Sequence, residues 1–233
     1  MGAASCYDDD LLDSLSKIVD NHLADIVSNS WGDVEANQTP DLAAAYDQVF
    51  QLGAVRGHRL LLLLRRRRRP GRGVRGQAGR HPGQLAWVTA VGGTSLAVGK
   101  DGSTCGRPAG APWKAPLSAD GKSWEGFPGT FTSGAGGGTS RTVPQPYYQK
   151  GVVPKSLATA NSAAGNRVVP DIAAIADPNT GFLVGQTQTF PDGSQRYSEY
   201  RIGGTSLAAP VIAAVQAWPR RPGAASRSAS PTR

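Results

Sequence analysis

The sequence predicts an α/β fold in which a parallel sheet is flanked by helices. Short apolar runs alternate with amphipathic helical stretches in the first part of the chain, the pattern of strand–helix–strand units. Thirty glycines and 17 prolines with only 7% aromatic residues indicate a loop-rich domain. Tyr200–Val215 runs as a β-prone approach into Gly203-Gly204, then a small-residue helix opened by Thr205 and Ser206. At 233 residues the chain can hold one sizeable core.

Residues 8–22 read as an amphipathic helix, with Asp8, Asp9 and Asp10 where a helix start favours acids and Leu11, Leu15, Ile18, Val19 and His22 on one face. Asp9 and Asp13 are four apart and can pose as a carboxylate pair; exposed first-turn acids explain them more simply. Ala24–Ser28 reads as a strand, followed by the loop Asn29-Ser30-Trp31-Gly32 at the end where open α/β sheets place ligands. Thr39 or Asp41 caps a second helix over 41–53, with Leu42, Ala45, Tyr46, Val49 and Phe50 inward. Trp87–Val91 reads as a central strand and Gly92-Gly93-Thr94-Ser95 as the turn after it. Val168–Ala174 and Phe182–Val184 read as strands, Pro191-Asp192-Gly193 as a turn into a strand over Arg196–Ile202, and 205–217 as a helix.

The net charge of +8 is uneven. Residues 57–86 hold nine arginines and no acid, and 219–233 hold four arginines and no acid. The rest carries twelve basic against 17 acidic residues, a net of −5. Leu60–Leu64 followed by Arg65–Arg69 fits no ordinary globular pattern. One reading is a basic nucleic-acid arm. A second is a change of reading frame. In GC-rich codons shifted by one base, His58–Arg69 encodes Ile-Gly-Phe-Tyr-Phe-Ser-Ser-Gly-Asp-Asp-Gly, an apolar strand ending in a Gly/Asp turn. The same shift turns Pro82–Ala86 into Pro-Ala-Ser-Ser-Pro, and reading one base earlier turns the tail after Ala217 into a continuation of the preceding helix. Arg107–Pro112 is a third, shorter candidate. On this reading 57–86 and 218–233 are out of frame, and 60–86 and 219–233 should be disordered or poorly packed. The arginines then have no selected role, and any nucleic-acid binding should be weak, salt-sensitive and sequence-independent.

Ser206 is the candidate nucleophile. Its hydroxyl stands at a helix N-terminus, where unpaired N–H groups and the dipole favour developing negative charge. Gly203 and Gly204 leave room for a substrate backbone. Pro210 is expected in the first turn, where no N–H is missed. An ordinary Thr/Ser helix cap fits the same residues. Ser133–Ser140, Ser-Gly-Ala-Gly-Gly-Gly-Thr-Ser, can pair with an extended peptide or be a plain surface loop.

Five segments, in order, resemble the sedolisin family, the serine-carboxyl peptidases with a subtilisin-like fold. They are Ser30-Trp31-Gly32, Trp87–Ser95, Ser133–Ser140, Val169-Pro170-Asp171-Ile172 and Gly204-Thr205-Ser206-Leu207-Ala208-Ala209-Pro210. The resemblance implies a secreted serine-type endopeptidase acting on polypeptides, with an incomplete subtilisin-like parallel sheet over 1–217. It places the nucleophile at Ser206 and the substrate groove along Gly134, Gly136, Gly137 and Gly138. It also implies a Glu-x-x-x-Asp base pair, an oxyanion Asp in a Ser-Gly-Asp segment, a preceding activation domain and a calcium site past the nucleophile helix. No Glu-x-x-x-Asp occurs in residues 1–30, the Ser-Gly-Asp exists only in the shifted frame, and the calcium site is expected beyond the in-frame residues. The chain as written is therefore expected to be inactive, with no cofactor of its own, no specific nucleic acid, no membrane partner and a monomeric state. No apolar run reaches bilayer length and no export signal follows Met1. Cys6 and Cys105 allow one disulfide or none.

Overall fold

The computed structural model describes residues 2–66, 80–98, 101, 104–106, 113–114, 119–120, 130–131 and 134–218. Its helices are α1 (Asp8–Asp20), α2 (Pro40–Val55), the single turn α3 (Lys155–Ala158) and α4 (Thr205–Ala217). The strands that shape the site are β1 (Ile26–Asn29), β2 (Arg59–Leu63), β3 (Thr89–Thr94), β4 (Gly134–Ala135), β5 (Gly138–Pro144), β6 (Asn166–Val169), β7 (Ile172–Ile175), β8 (Phe182–Thr189) and β9 (Gln195–Ile202). β1, β2, β3 and β7 form one four-stranded sheet in that order, and every pairing is parallel. This is the α/β, helix-flanked parallel sheet that the sequence predicts.

Leu60–Leu63 lie in this sheet and Leu64 directly follows, which corrects, for these residues, the expectation that they are disordered or poorly packed. Leu60–Leu64 are all buried, between 0% and 5% exposed. A parallel strand covered on both faces needs no apolar–polar alternation, so an unbroken leucine run satisfies it whatever its codon history. Successive side chains point to opposite faces. Leu60 and Leu62 join Leu15, Tyr46, Phe50, Leu85 and Val88 beneath α1 and α2. Leu61 joins Val91, Ala208, Ala209 and Ile212 under α4. Arg80–His81 pairs with Asp33–Val34, and 81–85 are buried. Residues 67–79, 107–112 and 219–233, on which other parts of the frame-shift reading fall, lie outside the described residues. Leu62→Ala should cost roughly 2–5 kcal/mol in a urea melt, as for a truncated core leucine. A loss below about 0.5 kcal/mol, typical of uncoupled surface sites, would put this run outside the core.

Other boundaries move for identifiable reasons. α1 stops at Asp20, and His22 turns into the left-handed region at φ 49°. Thr39 is the α2 cap, accepting from Leu42 N at 3.3 Å. The Gly92-Gly93 pair continues β3 instead of turning. A Cβ on Gly92 would meet Pro170 at 2.7 Å, and one on Gly93 would meet Ala176 at 2.4 Å, so these positions must be bare. Val168–Ala174 divides at Pro170 into β6 and β7. β8 runs to Thr189, longer than expected, and pairs with β9 around Gly193 at φ 80°. Cys6 is exposed and free.

His81 is 1% exposed against the Tyr46 ring, 5.2 Å between centroids, and its Nε2 has no partner. Burial pulls its pKa from 6.5 down to about 4, partly opposed by the Glu35 charge. The folded value lies below the unfolded one, so the unfolded chain takes up the proton first. This contribution to stability is full above about pH 6.5, falls as pH drops, and stops changing below about pH 4. The total is on the order of 3 kcal/mol. Urea melts across that window should show the loss, and His81→Gln should flatten it.

Candidate active site

The carboxyl ends of the four parallel strands open onto one edge, where α/β sheets gather ligands. Ser30 follows β1, Leu64 follows β2, Thr94 ends β3 and Ala176 follows β7. α4 crosses this sheet, and its first turn stands at the same edge. Gly204 N donates to Ala176 O, which ties the helix start to the end of β7. Gly204 sits at φ 92°, ψ 159°, a conformation that disfavours any side chain. Ala208, Ala209 and Ile212 then pack on Leu61 and Val91, so small residues bring the helix close to the sheet.

Ser206 is the second residue of α4, exposed at the sheet edge. Leu207 N already donates to Gly204 O at 2.9 Å, so the positive end of the helix dipole is what α4 presents beside the Ser206 hydroxyl. Pro210 is not in the first turn but inside the helix, a correction to the expected placement. Its missing N–H deprives the Ser206 carbonyl of its i+4 donor. The Ser206 Oγ accepts a hydrogen bond from Ser30 Oγ at 2.6 Å. Ser30 thus joins the site from the Ser-Trp-Gly loop, 176 residues away in sequence. Thr205 is buried with its Oγ1 unpartnered.

The glycine segment approaches the same place. β4 pairs through its backbone with Arg65–Arg66, and Gly136 N donates to Leu64 O at 2.9 Å. A Cβ on Gly93 would touch both Thr205, 3.2 Å away, and Ala135, 3.5 Å away, so one bare position of β3 seats the helix start and β4 together. Gly134, Gly136 and Gly138 are half-buried and Gly137 is exposed, with Gly138 paired to Val169. The segment is thus backbone paired beside the start of α4, and not a free surface loop.

The acids go elsewhere. Asp13 pairs with Lys17 at 2.6 Å on the exposed face of α1, in keeping with a surface role for Asp9 and Asp13. Asp171 takes both terminal nitrogens of Arg167 at 2.6 Å. Asp177 accepts from Ser95 Oγ at 2.7 Å, anchoring the end of β3. Glu35 accepts from Ser140, Arg141 and Thr142. Among the described residues, Ser30 is the hydrogen-bonding side chain that meets Ser206. Among the described residues, no three His, Cys, Asp or Glu side chains gather into a group.

A parallel sheet, a helix across its face and a serine at that helix's start on the carboxyl edge define a subtilisin-like class. The family model for the subtilase family (Peptidase_S8) matches residues 1–221, and the chain belongs to that family. Within it the likeness is to the sedolisin type. The chain is 33% identical over 202 residues to kumamolisin of Bacillus sp. (strain MN-32), matching 84% of this chain and 31% of that protein. It superposes on Pseudomonas sedolisin, a serine-carboxyl proteinase solved with two molecules of pseudo-iodotyrostatin, with TM-score 0.63 and 24% identity. That match covers 92% of this chain and 52% of the sedolisin chain. The chain thus spans about a third to a half of the length of these relatives.

Proposed function

We propose that this chain is the nucleophile-bearing part of a secreted serine-type endopeptidase of the sedolisin type, and that by itself it does not hydrolyse peptides. The observation that carries the reading is the placement of an exposed Ser206 Oγ at the start of α4, between the Ser30 loop and the glycine segment. An extended polypeptide lies along Gly134, Gly136, Gly137 and Gly138, where backbone meets backbone without side-chain obstruction. Ser206 attacks the scissile carbonyl. The positive end of the α4 dipole favours the resulting oxyanion. The Ser30 hydroxyl donates to Ser206 Oγ and holds its lone pair and rotamer. Among the described residues no base is placed to take the Ser206 proton, and a serine at its free pKa is a weak nucleophile. Where the shifted frame encodes the oxyanion Asp, the chain carries arginine.

No described helix is long and apolar enough to cross a membrane. The proposed partner is a polypeptide substrate, the proposed state a monomer, and no specific nucleic acid is expected.

A peptide aldehyde tests the site without needing turnover, because it adds reversibly to the serine oxygen. It should bind the chain, and Ser206→Ala should weaken binding tenfold or more. Ser30→Ala should weaken it about threefold to tenfold, the worth of one hydrogen bond. Aldehyde affinity indifferent to Ser206→Ala would overturn the reading.

A further inference from the structure

We propose that Glu35 is a positioning residue for the substrate groove: its buried carboxylate ties the Ser30-Trp31-Gly32 loop to the strand that leaves Gly134–Gly138, and so fixes the distance between the two walls. The proposal rests on the peptidase reading of that groove.

Glu35 lies three residues after Gly32, at the start of a single helical turn over Glu35–Asn37, and is 6% exposed. A carboxylate so buried must be matched by donors. Among the described residues, its donors come from β5, just past Gly138. The Ser140 hydroxyl donates to Oε1 in a very short bond. Arg141 N donates to Oε2 at 3.0 Å, Thr142 N to Oε1 at 3.2 Å and Thr142 Oγ1 to Oε1 at 2.7 Å.

The strand is shaped for this. β5 pairs Thr139 with Val168 and then Pro144 with Asn166, so the register slips in between. Such an irregularity takes the intervening amides out of the ladder. Those amides turn to the carboxylate, and Ser140 Oγ also accepts from Val143 N at 2.8 Å. On the other wall, Trp31 tilts against Tyr46 with centroids 5.4 Å apart, and Val143 packs against the same cluster. The carboxylate therefore links the two walls through charge-assisted hydrogen bonds, which are the stronger kind. The neighbouring His81 ring is neutral above about pH 4, which leaves the β5 donors to balance the charge.

Stability alone does not require this link to join the two groove walls, so the test separates clamp from ballast. Site-resolved hydrogen exchange on the full chain is compared with Glu35→Gln, which keeps the shape but replaces one acceptor with a donor facing Arg141 N. Exchange at Gly136, Gly138, Arg141 and Thr142 should accelerate tenfold or more, while Leu62 and Val91 in the sheet stay unchanged. Thr142→Val removes one donor without touching the carboxylate and should give a smaller acceleration at the same amides. The affinity for a peptide aldehyde should fall about tenfold in Glu35→Gln. Uniform acceleration across the sheet, no acceleration, or local acceleration with unchanged aldehyde affinity would each overturn the proposal. Failure of the peptidase reading looks different: it appears in the unsubstituted chain, as aldehyde binding that ignores Ser206→Ala, and the exchange pattern still decides the clamp without any peptide.

Discussion

Arg167→Ala is expected to cost the chain about 3–5 kcal/mol, among the largest losses available to a single substitution. Among the described residues, Arg167 is the largest fully buried side chain, 0% exposed. Its guanidinium holds Asp171 with both terminal nitrogens at 2.6 Å, donates to Val168 O at 3.0 Å, and lies 5.6 Å from the Tyr148 ring centroid. Asp171 in turn accepts from Ala90 N at 2.8 Å, which fixes the turn between β6 and β7 against the central strand β3. Removing the guanidinium opens a cavity where a fully buried side chain stood and takes the cation from Asp171, whose own side chain is 23% exposed. Arg167→Lys should be costly as well, because an ammonium cannot make the paired contact. Arg167→Leu combined with Asp171→Asn should recover part of the loss, because the orphaned charge goes too. Urea melts of the set measure this. A loss for Arg167→Ala below about 1 kcal/mol would mean that the pair does not organise this part of the fold.

How much of this was legible in the sequence depends on whether the signal was local. α4 is legible at its observed bounds, because Gly203-Gly204 followed by small apolar residues is a complete local signal. α1 and α2 are legible to within two residues of their ends, because their apolar faces repeat at helical period. The leucine strand is not, because the adjoining arginine run and the frame-shift reading draw the whole segment out of the fold. A continuous apolar run is what a doubly covered parallel strand needs, but only its neighbours in space show that it is covered. Gly92-Gly93 looked like a turn, and the reason it is extended, the close approach of Pro170 and Ala176, comes from β7 and its flanks. At the site, Ser206 and the glycine segment were visible as motifs. Ser30 stood in a recognised motif, but its bond to Ser206 closes across 176 residues. Glu35 was not singled out, since its partners begin 105 residues away and no periodicity points to them.

Peptide hydrolysis carries the second large effect. On the proposed reading the α4 dipole favours an oxyanion at Ser206, while among the described residues no acceptor is positioned to take its proton. A general base is typically worth about 10²–10⁴ in rate, and one oxyanion donor about 10²–10³. Groups that act as a unit lose most of their effect when any one is missing. Restoring the frame over 57–86 should return the oxyanion Asp without returning activity. Supplying the Glu-x-x-x-Asp helix and the calcium segment implied by the sedolisin resemblance should return it, by several orders of magnitude.

The direct measurement is peptide cleavage at acid pH by three chains: the chain as written, the frame-restored chain, and the frame-restored chain with both segments added. Each is paired with its Ser206→Ala variant. The account predicts no measurable cleavage from the first two, and cleavage from the third that disappears with Ser206→Ala. Ser206-dependent cleavage by the chain as written would contradict it and turn attention to Asp9 and Asp13 as stand-in acids.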